Sequence, residues 1–247
     1  MERFFKAKNI AVIGASRNPN KVGGVIFSNL LKNENLKVFP INPKASHIEG
    51  IKAFKDILEV PFNIDLAVIV IKAEFVLDIL NQCIQKDIKN FIIISAGFSE
   101  IGNVKLQEKL NILIDENKLN VIGPNVLGII NPFLNLNASF FKRIPKPGNI
   151  AFISQSGALG TAILDKFNKI ELGISGFVSL GNMVDKDFIS ALDYFGKDKN
   201  TKIITLYIES LKEDTGKEFI SLCKKISKHK KIIAIKSGKT MEGKKAA

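Results

Sequence analysis

The chain has 247 residues, enough for one large domain or two small ones, each able to bury a core without disulfide or metal support. Hydrophobic residues make up 46% and charged residues 24%, a balance that excludes a disordered chain. Lys and Arg number 36 against 24 Asp and Glu, and the resulting formal net charge of +12 permits anionic partners without choosing among them.

No long apolar stretch precedes a cleavage pattern at the amino terminus, and no apolar run reaches the roughly 18 residues of a membrane span. Cys83 and Cys223 each fall in an apolar helical pattern without a CxxC or Cys/His neighbour. Both read as small core residues of a chain kept in a reducing cytoplasm.

The predicted elements alternate. Asn9–Ile13, Lys37–Ile41, Asp65–Ile71, Phe91–Ser95 and Asn120–Ile122 are short runs rich in Val and Ile, as expected of buried parallel strands. Between them, Val76, Ile79, Leu80, Cys83 and Ile84 recur at helical spacing, as do Leu106, Leu110, Leu113 and Ile114. The pattern breaks at Gly123-Pro124-Asn125, and the proline-marked stretch 126–148 reads as a linker loop. Alternation then restarts. Strands are expected at Asn149–Ser154, Ile174–Leu180, Lys202–Ile208 and Lys231–Lys236, with helices at Ala158–Lys169, Phe188–Phe195 and Gly216–Lys228. The reading is α/β: two doubly wound parallel-sheet domains, 1–125 and 149–247.

In such sheets ligands sit beyond the carboxyl ends of the strands, so the loops there carry the chemistry. The first loop, Gly14-Ala15-Ser16-Arg17-Asn18 through Lys21 to Gly23-Gly24, joins a strand to a helix. Its glycines allow close backbone approach, the helix start offers free N–H groups, and Arg17 and Lys21 add charge. It is neither a GxGxxG nor a Walker A loop. The second, Asn42-Pro43-Lys44, lacks the acidic residue that reads a ribose 2′-hydroxyl. With Lys37 and Lys44 it favours a ligand bearing an extra phosphate on its adenosine, NADP or coenzyme A. Ser95-Ala96-Gly97 lets a ligand approach the backbone, and Asn125 supplies an amide. Ser154-Gln155-Ser156-Gly157 leads into a helix as a second anion site, where two hydroxyls and the helix start are expected to converge. Glu209 ends a strand facing the same crevice, and Asn182 and Asp185 fall in the same layer. His47 and His229 lie in polar segments, and no metal-ligand grouping is visible.

These loops, in this order, resemble the CoA-binding subunit of NDP-forming acyl-CoA synthetases, most of all the ADP-forming acetyl-CoA synthetase branch and, beyond it, succinyl-CoA synthetase α subunits. The resemblance rests on Ile10–Ser16, Pro40–Lys44, Ile122–Asn125 with Gly128–Pro132, Ile153–Gly157 and Ser179–Asn182, and it covers essentially the whole chain. It implies a Rossmann-like CoA-binding domain followed by a flavodoxin-like domain. It implies an acid–thiol ligase that converts acyl-CoA, ADP and phosphate into carboxylic acid, CoA and ATP through an acyl phosphate and a phosphohistidine. Gly14, Ala15, Ser16, Arg17, Asn18 and Lys21 would hold the CoA phosphates. Lys37 or Lys44, with Asn42 and Pro43, would meet the adenosine end, and Ser95, Ala96 and Gly97 would line the path to the thiol. Ser154, Gln155, Ser156 and Gly157 would hold phosphate, with Asn125 beside them, and Glu209 would orient the histidine.

ADP or ATP with Mg would belong to an ATP-grasp domain or subunit, in a cytoplasmic oligomer with no nucleic-acid or membrane partner. Neither His47 nor His229 occupies the place of the histidine, whose Ser-His-Thr-Gly segment in the family follows the stretch Gly238–Ala247. The chain alone is therefore expected to bind CoA without turning over. Two other readings stand beside this one: a CoA-binding regulatory module without a working histidine, as in acetyltransferase fusions, and an NAD(P)-binding domain.

Overall fold

The apolar runs of the first half become parallel strands because Val and Ile in them are covered on both faces. The computed structural model describes residues 1–238. The strands are β1 (Asn9–Ile13), β2 (Lys37–Ile41), β3 (Leu66–Ile69), β4 (Asn90–Ile93) and β5 (Asn120–Ile122), in the spatial order β2-β1-β3-β4-β5. All are parallel, with Ile10 paired to Val38 on one side and to Leu66 on the other. Helices α1 (Val22–Leu31), α2 (Val76–Gln85) and α3 (Val104–Asn117) are the crossovers. The chain leaves β1 toward β2 and returns to β3 on the other side, so the order reverses at β1, where a doubly wound sheet opens a crevice.

The second half repeats the plan. Its strands are β6 (Gly128–Asn131), β7 (Leu136–Ser139), β8 (Pro147–Ser154), β9 (Ile174–Ser179), β10 (Ile203–Ile208) and β11 (Lys231–Lys236), in the order β11-β10-β8-β9-β6-β7. The helices are α4 (Gly157–Lys169), α5 (Phe188–Lys197) and α6 (Gly216–Ile226). Strands β8 to β11 are parallel, and the order reverses at β8. At the outer edge, Ile233 and Ile235 of β11 are exposed.

The stretch 126–148 is a loop only in part: 140–146 is irregular, but 128–139 forms a hairpin. Strand β6 pairs antiparallel with β9, and β7 pairs antiparallel with β6, extending the second sheet by a hairpin. The sequence hides it because each strand has four residues, and Pro132 opens a helical turn, Pro132–Leu134, between them. The hairpin also locks the halves together. Asn29 of α1 donates from Nδ2 to the carbonyls of Ser139 (3.0 Å) and Phe141 (2.9 Å), and Asn33 donates to that of Leu134 (2.9 Å). One apolar cluster runs through both halves, from Val12 and Ile26 to Phe188 and Phe195, and Phe5 stacks on Tyr194 with ring centroids 4.8 Å apart. Cys83 is buried, which pushes its thiol up to about 12, whereas Cys223 is only half-buried at the rim of the core. The segment 239–247, where the resemblance places the approach to the histidine, lies outside the described residues.

Candidate functional site

The site begins where β1 ends. Gly14 turns with φ +94°, and its N–H donates to the Ile41 carbonyl at 3.0 Å. A Cβ on Gly23 would lie 2.0 Å from the Gly14 carbonyl oxygen, so α1 starts hard against the strand end only because residue 23 has no side chain. No side chain caps α1, which leaves its first N–H groups for an anion. The Ser16 hydroxyl accepts from the Asn18 N–H at 3.1 Å. Asn42 ties the second loop to the first: its Nδ2 donates to the Ala15 carbonyl (2.7 Å) and its Oδ1 accepts from the Lys44 N–H (2.8 Å). Arg17 reaches the Lys44 carbonyl at 3.4 Å. Arg17, Asn18, Lys21, Pro43 and Lys44 are exposed, and among the described residues the three cations are in no ion pair.

Lys37 does not belong with them. It is the first residue of β2, paired with Asn9 at the start of β1, and its ammonium lies over the Phe62 ring, 5.5 Å from the centroid. Strand polarity puts it about 13 Å from the carboxyl end that carries the loops. Lys44 lies beyond that end, among the loops.

Ser95 is buried, and its hydroxyl accepts from the Ile71 N–H at 3.2 Å, holding the ends of β3 and β4 in step; Ala96 beside it is exposed. Asn125 has φ +62° and donates its N–H to the Ser95 carbonyl at 2.9 Å. The loop after β9 packs directly on it. Asn182 N–H donates to the Pro124 carbonyl at 3.0 Å, and a Cβ on Gly181 would meet that same carbonyl oxygen at 2.2 Å. The Asn182 amide then crosses to the first half, donating to Glu100 Oε2 (2.6 Å) and Gln107 Oε1 (2.8 Å). Sequence reasoning gave neither Glu100 nor Gln107 a role, because the contact spans 82 and 75 residues. Asp185 has a structural partner: its Oδ2 accepts from the Val121 N–H at 2.8 Å.

In the second half the hydroxyls expected to converge divide their work. Ser154 is fully buried, and its Oγ donates to the Ser156 carbonyl at 2.7 Å, so it shapes the turn rather than facing the crevice. Ser156 is the N-cap of α4, accepting from the Leu159 N–H at 3.3 Å. Gln155 binds the neighbouring strand end. Its Oε1 accepts from the N–H groups of Glu209 and Ser210, each at 2.9 Å, and its Nε2 donates to Ser210 Oγ at 3.0 Å. Lys236 donates to the Glu209 carbonyl at 2.8 Å.

Two adjoining cavities share Asn125, Gln155 and Glu209 and form one crevice between the halves. The smaller, about 470 Å³, is polar, with Glu100, Asn182 and Lys236 also in its wall. The larger, about 800 Å³, is lined by Ser95, Ala96, Ser156 and Gly157 and by the apolar Val22, Ile71, Leu127 and Phe140. Burial raises the Glu209 pKa, opposed by the charge of Lys236. Burial also works upward on Glu100, but hydrogen bonds from the Gly97 and Phe98 N–H groups and the Asn182 amide outweigh it and hold that carboxyl below its usual value. Among the described residues no three His, Cys, Asp or Glu side chains group as metal ligands, His47 and His229 are exposed, and no helix is long and apolar enough to cross a membrane.

The family described as a CoA binding domain matches residues 8–132, and that described as a succinyl-CoA ligase like flavodoxin domain matches residues 147–247. The chain is 48% identical over 240 residues, 97% of its length, to an ADP-forming acetate–CoA ligase of Methanocaldococcus jannaschii, of which it covers 34%. It is 43% identical over its full length to the α subunit of ADP-forming acetate–CoA ligase II of Pyrococcus furiosus, of which it covers 54%. Among solved structures, a dinucleotide-forming acetyl-coenzyme A synthetase 1 of Ca. Korarchaeum cryptofilum, in complex with phosphate and ADP, superposes with a TM-score of 0.93 at 40% identity, over 99% of this chain and 53% of that one. The chain thus spans between about a third and half of the length of these relatives. With an uncapped helix start in the first half, a capped one in the second and a crevice between them, the chain belongs to the CoA-binding domain family, joined to a succinyl-CoA-ligase-like flavodoxin domain.

Proposed function

We propose that this chain is the CoA-binding part of an ADP-forming acid–thiol ligase, with a lobe at 1–125 and a lobe at 149–247, the latter widened by the hairpin β6–β7, meeting over the reacting thioester. The observation that carries the reading is the single crevice in which Asn125 of the first lobe and Gln155 and Glu209 of the second line both cavities. A CoA molecule would lay its phosphates against the uncapped start of α1 with Ser16, Arg17, Asn18 and Lys21, and its adenosine end toward Lys44. The fit rests on that bare helix start and on the cations beside it, which are in no ion pair among the described residues. Its pantetheine arm would pass Ser95, Ala96 and Gly97 into the larger cavity.

In the reaction, a phosphate oxygen attacks the thioester carbonyl carbon, the carbon–sulfur bond breaks, and CoA leaves as thiolate with the acyl phosphate left behind. The chain's residues would bind and orient. Asn125 and the turn Gln155-Ser156-Gly157 would hold the phosphate, and Glu209 would accept from the imidazole of the histidine that takes up the phosphoryl group. Gln155 holds the backbone of Glu209 and so places the strand end that carries that carboxylate. ADP with its Mg would be bound by an ATP-grasp domain or subunit, in a cytoplasmic assembly.

Calorimetric titration of the chain with CoA, with NADP as control, tests the reading. CoA binding not matched by NADP supports it. Preferential binding of NADP makes this a dinucleotide domain instead.

A further inference from the structure

A buried polar network in the hairpin has no part in that reading. Asn29, Asn137 and Ser139 are each at most 4% exposed. Asn29 Nδ2 donates to the carbonyls of Ser139 and Phe141; Asn137 Nδ2 donates to the Phe141 carbonyl (2.9 Å) and its Oδ1 accepts from Ser139 Oγ (2.6 Å). The Ser139 hydroxyl in turn accepts from the Phe141 N–H at 3.2 Å. Buried polar groups are costly unless satisfied, and when satisfied they fix one backbone geometry. What this network fixes is the residue between its anchors. Phe140 alone of 139–141 is half-buried, and it forms part of the wall of the larger cavity, with Leu127 and Thr161. Thr161 donates its hydroxyl to the Gly157 carbonyl at 3.0 Å, so this end of the cavity offers a ligand little hydrogen bonding. Glu209 is the one charged residue in the cavity wall among the described residues.

We infer that Phe140 is a specificity-determining residue: its ring limits the bulk of the acyl group carried on CoA, and Asn29 positions it. The inference rests on the CoA reading. The Phe140 N–H donates to the Leu127 carbonyl at 3.3 Å, and a Cβ on Gly157 would lie 3.7 Å from the Leu127 nitrogen, so the wall formed by Leu127, Phe140 and Thr161 adjoins the turn that would hold the phosphate, where the uncharged acyl group beyond the sulfur would lie.

The test is calorimetry of the chain with CoA, acetyl-CoA and phenylacetyl-CoA. Phe140→Ala should raise the affinity ratio of phenylacetyl-CoA to acetyl-CoA by about tenfold, and Phe140→Trp should lower it. Asn29→Ala should shift the ratio in the same direction as Phe140→Ala by a smaller factor, a readout that general loss of stability does not move. A ratio unchanged in both Phe140 variants, while wild type binds CoA, overturns the inference and leaves the CoA reading standing. Failure of the wild type to bind CoA overturns both.

Discussion

The side-chain oxygen of Gln155 accepts from the backbone N–H of Glu209 at 2.9 Å, tying the turn after β8 to the end of β10. A second bond of equal length from Ser210 makes the link bidentate. The backbone that carries a carboxylate of both cavity walls is therefore anchored through a residue 54 positions away.

Gln155→Leu removes three hydrogen bonds from this link. A cost of about 1–2 kcal/mol in unfolding free energy is expected, since the freed N–H groups regain water only in part. Urea denaturation followed by circular dichroism measures it.

The two carboxyls of the crevice are shifted in opposite directions from their ordinary value. Glu209 is raised from its ordinary value by burial, so its contribution to stability is fully present below that value and is lost as pH rises through the folded one. Glu209→Gln should therefore match wild type in acid and be the more stable at neutral pH. Glu100 is held low, so its contribution is present above the unfolded value and is lost as pH falls through the folded one. Glu100→Gln should be the less stable at neutral pH, and the difference should close in acid. Unfolding free energies across pH 3–7 read both signs.

Strand polarity separates the lysines. Lys44→Ala and Arg17→Ala should each weaken CoA binding by about tenfold, as expected when one charge-assisted hydrogen bond to a phosphate is lost. Lys37→Ala, at the opposite end of β2, should change it by less than about twofold. Calorimetry of the three variants decides between the ends of the sheet.

Gly23→Ala should cost about 3 kcal/mol or prevent folding, because the new Cβ would lie 2.0 Å from the Gly14 carbonyl oxygen, a backbone atom rather than a flexible side chain. Gly216→Ala, at the first position of α6 with nothing within 4 Å, should stabilise by about 0.5 kcal/mol through helix propensity and a less free unfolded chain. Thermal unfolding of the two variants gives the contrast.

The buried parallel strands were legible because cover on both faces leaves unbroken Val and Ile runs, and β1, β2 and β5 match their expected limits; β11 matches too, on its Ile-rich run alone, since Ile233 and Ile235 stand exposed at the sheet edge. The hairpin β6–β7 was not, since its pairing depends on β9, more than 40 residues on, and a proline turn interrupts its pattern. Residue type placed Gln155, Asn125 and Glu209 in the crevice. It did not distinguish Ser154, whose hydroxyl turns inward to a carbonyl, from Ser156, which caps α4. Nor did it reveal the Asn182–Glu100 bridge, which exists only once the two halves have docked.

The central claim is that one CoA molecule engages both lobes, and amide hydrogen exchange with and without CoA tests it most directly. The account predicts slowed exchange in two separate segments, Ala15–Gly23 after β1 and Gln155–Ala158 after β8, with the amino end of β2 around Lys37 unaffected. Protection confined to one lobe, or centred on Lys37, would contradict it.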